Sequence, residues 1–237
     1  MIAVRADRFQ DNFALRGYLV GQCGVSHGAM KHVASPARKF RNAARLASHH
    51  LPSCLPAGLF LTDPARIPDP AKVIASLPPG IGVIIRHFGK ETEIRRAGHL
   101  VEQCRREDRI CLIGADPRLA RALDADGVHW PARLARAAHQ QARDFALNTM
   151  SAHNPSELRL ALLQKMDAAI VSTVFASASA SAGRPLGLAR FARISARAGL
   201  PVYGLGGIDH SNAERVSRFG GFASVSGFQE LVPEAQD

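Results

Sequence analysis

Two glycine-rich segments near the end of the chain each follow an apolar stretch of the strand type. The first segment places Gly206 and Gly207 directly after "PVYGL", and the second places Ser226 and Gly227 after "FASV". Glycine has no Cβ, so its backbone N–H group can approach an anion closely, and a serine hydroxyl can donate a further hydrogen bond. These residue types predict a phosphate site at the two strand ends.

A helix is expected to start soon after the first glycine pair. Ser211 stands at its expected start and Glu214 follows three residues later, which is the spacing of a capping box. A helix N-terminus offers free N–H groups and suits a bound phosphate. The glycines would also suit two tight turns with no ligand, but their repetition after two consecutive strands favours phosphate binding.

The rest of the chain shows the elements that would position these residues. Eight apolar, strand-like segments alternate with seven helical patterns from residue 55 onward. The strand-like segments are 58–63, 81–88, 109–116, 126–130, 146–151, 167–175, 200–207 and 222–228. Apolar strands that alternate with helices indicate a parallel sheet covered by helices.

Eight such units predict an α/β fold of the (β/α)8 TIM barrel type, in which phosphate sites follow the seventh and eighth strands. The alternative is an open, doubly wound sheet. That fold would place a glycine fingerprint after the first strand. The segment after the first strand reads "LTDPARIPDP" and contains no glycine.

Composition limits the class of protein. The chain has 237 residues, of which 46% are hydrophobic and 21% charged, enough for a buried core. No apolar run approaches the ~20 residues that span a bilayer, and the N-terminus lacks the pattern of a secretory signal, so we expect a cytoplasmic protein with no membrane contact. The cysteines show no zinc spacing and no disulfide framework; they are Cys23, Cys54, Cys104 and Cys111.

The net charge of +10 is unevenly distributed. Residues 1–54 carry eight Lys or Arg against two Asp, and show no sustained hydrophobic period. We therefore expect 1–54 to be a basic, disordered extension or the product of a start codon placed too far upstream, with Met30 as an alternative start, and 55–237 to be the barrel. Aromatic residues do not alternate with the basic ones, so nucleic acid is not the expected partner.

Five motifs in order resemble thiamine-phosphate synthases and the related thiazole tautomerases (TenI-like proteins). They are "TD" after the first strand, "ADGVH" at the fourth, "TVFASASASAGRPLGL" after the sixth, "PVYGLGGI" at the seventh and the glycine-serine end of the eighth. The resemblance runs from about Leu59 to Leu231. It implies a thiamine biosynthesis enzyme, a transferase that joins a pyrimidine pyrophosphate to a thiazole phosphate with loss of pyrophosphate.

The resemblance also implies site residues. Arg86 matches an arginine of the second strand, and Ser151 matches a serine of the fifth strand near pyrophosphate. The phosphate- and pyrophosphate-binding positions are Ser177, Ser179, Gly206, Gly207, Ser226 and Gly227. The expected partners are phosphorylated small molecules, and a homo-oligomer is possible.

The sequence departs from the family pattern where Mg²⁺ is expected. The family's Asn-Asp-Arg aligns with Gly114, Ala115 and Asp116, and its second acidic ligand aligns with the loop 130–136, "WPARLAR". Mg²⁺ prefers carboxylate oxygens, so Asp116 is the remaining candidate ligand and no metal site is predicted. Phe88 replaces a lysine usual two residues after Arg86.

The tautomerase alternative needs a general acid or base. The resemblance implies a histidine where this chain has Thr173, so His129 and His153, near the ends of strands four and five, are the substitutes. A third alternative is a barrel that binds a phosphate ligand without turnover.

Overall fold

The structure is a computed structural model that describes residues 34–177 and 183–233. It is a closed barrel of eight parallel strands in sequence order, with β1 paired to β8. The strands are β1 Gly58–Leu61, β2 Ile81–Ile85, β3 Cys111–Gly114, β4 Gly127–Trp130, β5 Leu147–Ala152, β6 Ala168–Ser172, β7 Val202–Leu205 and β8 Gly221–Ser224. The predicted TIM barrel is confirmed.

Among the described residues, seven α-helices alternate with the strands, as predicted, and one more α-helix precedes β1. The helices are α1 Pro36–Ala47, α2 Pro70–Ser76, α3 Glu91–Arg106, α4 Pro117–Ala122, α5 Ala135–Gln141, α6 Pro155–Leu163, α7 Leu188–Ser195 and α8 Ala213–Ser217. A 3₁₀ helix over Gly227–Leu231 follows β8. None of the helices among the described residues is both long and apolar enough to cross a bilayer.

Three of the helices that follow strands begin with the same local chemistry. α2, α4 and α6 each have proline in the first turn, where the missing N–H costs nothing. The residue before each helix accepts a hydrogen bond from the N–H three residues later; these N-caps are Asp69, Asp116 and Asn154. These caps set where each loop at the carboxyl end of a strand passes into its helix.

The helix α1 packs on the barrel, contrary to the prediction of a disordered extension for residues 34–54. Its buried face consists of Phe40, Ala43, Ala44 and Ala47. The Phe40 ring lies 6.0 Å from the ring of Phe222 in β8 and 4.5 Å from that of Phe228. Only a 3₁₀ helix follows β8 among the described residues, so α1 covers apolar surface that would otherwise face water. Residues 1–33 lie outside the described residues.

The thiols within the described residues are free, and two of them are buried: Cys104 and Cys111. Burial and a hydrogen bond with Cys104 raise the pKa of Cys111 well above its ordinary value, with the hydrogen bond the larger cause. Both residues therefore act as packed apolar groups.

Candidate active site

A cavity of about 400 Å³ opens at the carboxyl ends of the strands. Six residues that the sequence singled out line it together: Arg86, Ser177, Gly206, Gly207, Ser226 and Gly227. The ends of β7 and β8 are neighbours because the two strands pair in the barrel. The two glycine-rich segments therefore lie next to each other at one cavity, as predicted.

The turn after β7 requires glycine at both positions. Gly206 and Gly207 have φ values of 102° and 62°, a region that side chains disfavour. A Cβ on Gly207 would lie 2.2 Å from the carbonyl oxygen of Ala176. The carbonyl of Gly206 accepts from the N–H of Phe175, and that of Gly207 accepts from Asn212 Nδ2. The hydrogen bonds that the described residues make with this turn thus use its carbonyl oxygens and leave its N–H groups for a ligand.

The turn after β8 is built differently from the prediction. The N–H of Gly227 donates to Ser224 Oγ at 3.1 Å, and that hydroxyl donates to the carbonyl of Ile208. A Cβ on Gly227 would lie 2.4 Å from the same carbonyl oxygen. Gly227 therefore lets the two turns touch, and its N–H is not the free donor that the sequence predicted. Ser226 is exposed on the cavity lining and remains the candidate donor of this turn.

The capping box predicted at Ser211 is wrong. α8 begins at Ala213, and its N-cap residue Asn212 makes no side-chain cap bond. Asp209 Oδ1 accepts both from the N–H of Ser211, at 2.8 Å, and from its hydroxyl, at 2.6 Å. Because the N–H and the hydroxyl of Ser211 both donate to Asp209, Ser211 does not cap the helix and lies in the loop before it.

Arg86 reaches the cavity from the end of β2. Its Nε donates to the carbonyl of Thr62 at 2.6 Å, and its Nη2 lies 3.4 Å from Asp63 Oδ2. Burial lowers the pKa of Arg86 to about 10; Asp63 opposes this shift and Arg66 adds to it. The guanidinium stays charged at neutral pH and can bind an anion.

A second arginine lines the cavity and was missed by the sequence reasoning. Arg66, in the loop after β1, donates through Nε and Nη2 to Asp63 Oδ2 at 3.0 and 2.9 Å. Burial alone would raise the pKa of Asp63, but the hydrogen bonds from Arg66 and Ala65 and the charges of both arginines lower it. The three-residue spacing of Asp63 and Arg66 was the only available signal in the sequence.

His129 is buried inside the barrel. Its Nδ1 lies 2.9 Å from Thr149 Oγ1. Burial, and then the charges of Arg86 and His153, lower the pKa of His129 to about 3. His129 is therefore neutral at neutral pH, which suits a packed histidine better than the general acid that the sequence suggested.

His153 is exposed at the end of β5. Its Nδ1 lies 2.9 Å from the hydroxyl of Ser172, which itself lines the cavity beside Thr173. Ser151, two residues earlier in β5, is half-buried and lies outside the cavity lining. Ser177 lines the cavity, whereas Ser179 lies outside the described residues.

The family model described as thiamine monophosphate synthase matches residues 67–228, from the loop before α2 to the end of the second glycine turn. The chain belongs to the thiamine monophosphate synthase family. The match covers both glycine turns, Arg86 and the pair formed by His153 and Ser172. The resemblance drawn from the sequence motifs is thereby confirmed.

Relatives with the name thiamine-phosphate synthase support this assignment. The chain is 27% identical over 157 residues to the one from Prochlorococcus marinus, and 30% identical over 158 residues to the one from Synechocystis. It covers 44% and 45% of their lengths, and they cover 62% and 63% of this chain. The relative from Chloroflexus aurantiacus is 32% identical over 149 residues, which are 60% of this chain and 67% of the relative.

A solved structure has a similar fold. Thiamine phosphate pyrophosphorylase from Pyrococcus furiosus superposes with a TM-score of 0.63 at 22% identity, over 74% of this chain and 93% of that one. At this identity the likeness concerns the barrel alone. In this chain the two glycine turns lie at the carboxyl ends of the barrel strands, where α/β barrels have their active sites.

The residues present do not fit the Mg²⁺ ion expected of the family. Ala115 has no carboxylate, and the loop 130–136 carries arginines but no acidic residue. Asp116 caps α4: its Oδ1 accepts from the N–H of Leu119, and its Oδ2 lies 3.5 Å from His87 Nε2. Among the described residues, no group of three or more His, Cys, Asp or Glu is placed to hold a metal ion.

Proposed function

We propose that this protein is a thiamine-pathway transferase that joins a pyrimidine pyrophosphate to a thiazole phosphate. The observation that carries the proposal is that one cavity contains two kinds of anion-binding group. One kind is the Gly206–Gly207 turn with Ser226, and the other is the pair of arginines, Arg86 and Arg66. Family membership supports the same conclusion.

The proposed reaction asks the protein mainly to position and stabilise charge. The bond between the pyrimidine methylene carbon and a pyrophosphate oxygen breaks, and its electron pair leaves with pyrophosphate. The thiazole nitrogen then donates its lone pair to the methylene carbon. Neither step moves a proton, so hydrogen-bond donors aimed at the leaving anion suffice as catalytic groups. Arg86 supplies such donors, while the glycine turn fixes the thiazole phosphate.

A product assay tests the proposal. Purified protein is mixed with the pyrimidine pyrophosphate and the thiazole phosphate, and thiamine phosphate is measured by chromatography. Formation of thiamine phosphate that depends on Arg86 supports the transferase. Binding of thiazole phosphate without product would favour a barrel that holds the ligand without turnover.

A thiazole isomerase is the second candidate function, and the contact between Ser172 and His153 favours it. A hydroxyl on the cavity lining that touches an exposed imidazole at 2.9 Å can relay a proton between a bound ring and solvent. The separating experiment omits the pyrimidine substrate and follows tautomerisation of the thiazole phosphate alone. Tautomerisation that is lost in His153→Ala would support the isomerase.

A further inference from the structure

The cavity has no Mg²⁺ ligands at the expected positions, yet a pyrophosphate needs its charge neutralised. We propose that Arg66 and Arg86, joined through Asp63, form an oxyanion site that binds pyrophosphate without a metal ion. We call these three residues the arginine pair and its linker. The identity of the ligand rests on the proposed function, while the site itself rests on the contacts below.

The linker holds both guanidinium groups in fixed orientations. Asp63 Oδ2 accepts hydrogen bonds from Nε and Nη2 of Arg66, and it lies 3.4 Å from Nη2 of Arg86. Asp63 Oδ1 accepts from the N–H of Ala65 at 3.1 Å. The bonds among the described residues thus use Nε and Nη2 of each arginine. The Nη1 group of each arginine remains for a ligand oxygen.

The charge balance of the site favours an anion. Two guanidinium groups against one carboxylate leave one net positive charge, and the side chains are only 22% exposed in Arg86 and 14% in Asp63. Partial burial strengthens the attraction between this charge and a bound phosphate relative to water. Asp209 and Glu230 also line the cavity, where Asp209 accepts from Ser211 and Glu230 contacts His210, so the positive charge is local to the arginine pair.

The same contacts explain why a metal ion is not needed here. Asp63 contacts Arg86 from behind the residues that line the cavity, and its oxygens are already engaged by two arginines and a backbone N–H. A guanidinium is planar and weakly hydrated, and it can bind two phosphate oxygens at once. Arginines can therefore supply the positive charge that Mg²⁺ would supply elsewhere.

A calorimetric titration with inorganic pyrophosphate tests the site. The full chain is titrated once in EDTA and once in excess Mg²⁺. We expect the two dissociation constants to agree within about threefold, because charge-assisted arginine contacts supply the binding. Arg66→Gln should weaken binding on the order of tenfold or more. The matched control is Arg133→Gln, an arginine of the loop 130–136 that lies outside the cavity lining and should leave binding unchanged.

A structural ion pair between Asp63 and Arg66 would also be lost in Arg66→Gln, so a second variant is needed. Arg66→Lys keeps the charge but loses the planar fork, and should retain the melting temperature while weakening pyrophosphate binding severalfold. Binding that requires Mg²⁺, or equal affinity in the wild type and both Arg66 variants, would overturn the proposal.

The outcome for the proposed function can be separated from this one. If pyrophosphate binds only with Mg²⁺ while thiamine phosphate still forms, the proposed metal-free site is refuted and the proposed transferase activity is supported. If pyrophosphate binds in EDTA and this binding depends on Arg66, but no thiamine phosphate forms from the pyrimidine pyrophosphate and the thiazole phosphate, the metal-free site is supported and the transferase activity is refuted.

Discussion

Ser172 Oγ and His153 Nδ1 lie 2.9 Å apart at the carboxyl ends of β6 and β5. The register of the barrel places them there, because Ala152 pairs with Val171 and the next residue of each strand follows side by side. Ser172 also lines the cavity that contains the glycine turns. The barrel therefore brings a hydroxyl that contacts an imidazole to the same cavity as the candidate anion-binding groups.

His153→Ala separates the two candidate functions. If the protein isomerises the thiazole phosphate, losing a general acid or base should reduce that rate by about 10²-fold or more. Thiamine phosphate formation should change little, because the transferase steps move no proton. His139→Ala, an exposed histidine of α5, is the control and should affect neither rate. Equal loss of both activities in His153→Ala would contradict this division of roles.

His129 should make the protein less stable as the pH falls below about 6.5. Its pKa is about 3 in the folded state but near 6.5 in an unfolded chain, so between these values the unfolded state binds the extra proton. The contribution has a limiting slope of about 1.4 kcal/mol per pH unit. Urea unfolding from pH 7 to pH 4 measures it. His129→Gln should flatten this dependence, and an unchanged slope would mean that His129 is not buried as a neutral ring.

The docked helix α1 should contribute directly to stability. Phe40→Ala removes a fully buried ring that contacts Phe222 and Phe228, and should lower the free energy of unfolding by about 3–5 kcal/mol. Arg41→Ala, on the exposed face of α1, should change it by less than about 0.5 kcal/mol. Urea denaturation midpoints give both values. A truncation that removes residues 1–29 keeps α1 and should retain the melting temperature; unfolding of that variant would assign a packing role to the removed segment.

Phe88→Lys should strengthen pyrophosphate binding. Phe88 is 61% exposed and its ring lies 5.1 Å from the Arg86 guanidinium carbon, so a lysine there would add a positive charge beside the arginine pair. We expect an affinity gain of severalfold, larger at low salt because exposed charges are screened. Phe88→Gln serves as a neutral control. Equal affinity in the lysine and glutamine variants would show that this position lies too far from the ligand.

The barrel was predictable because its signals are local. Each strand is an apolar segment, and proline with a preceding Asp or Asn marks the start of α2, α4 and α6. The docking of α1 was not predictable in this way. Its buried face is one phenylalanine and three alanines, which give a weak hydrophobic signal, and its partner Phe222 lies far away along the chain.

The candidate site was predictable in composition but not in detail. The glycine turns and Arg86 follow strands, and the parallel barrel necessarily gathers strand ends at one rim. The role of Gly227 depends on a side chain that the pattern does not reveal, because Ser224 takes its N–H. Ser211 fits a capping motif, yet Asp209 outcompetes the helix for it. Arg66 was missed because a loop residue has no periodic signal.

We infer that the N–H groups of Gly206 and Gly207 bind the phosphate of the ligand. It is tested most directly by nuclear magnetic resonance of protein labelled with ¹⁵N-glycine and titrated with thiazole phosphate. We expect the amide signals of Gly206 and Gly207 to shift with one common dissociation constant, while those of Gly89 and Gly199, outside the cavity lining, stay in place. Saturable binding that leaves the Gly206 and Gly207 signals unmoved would contradict it.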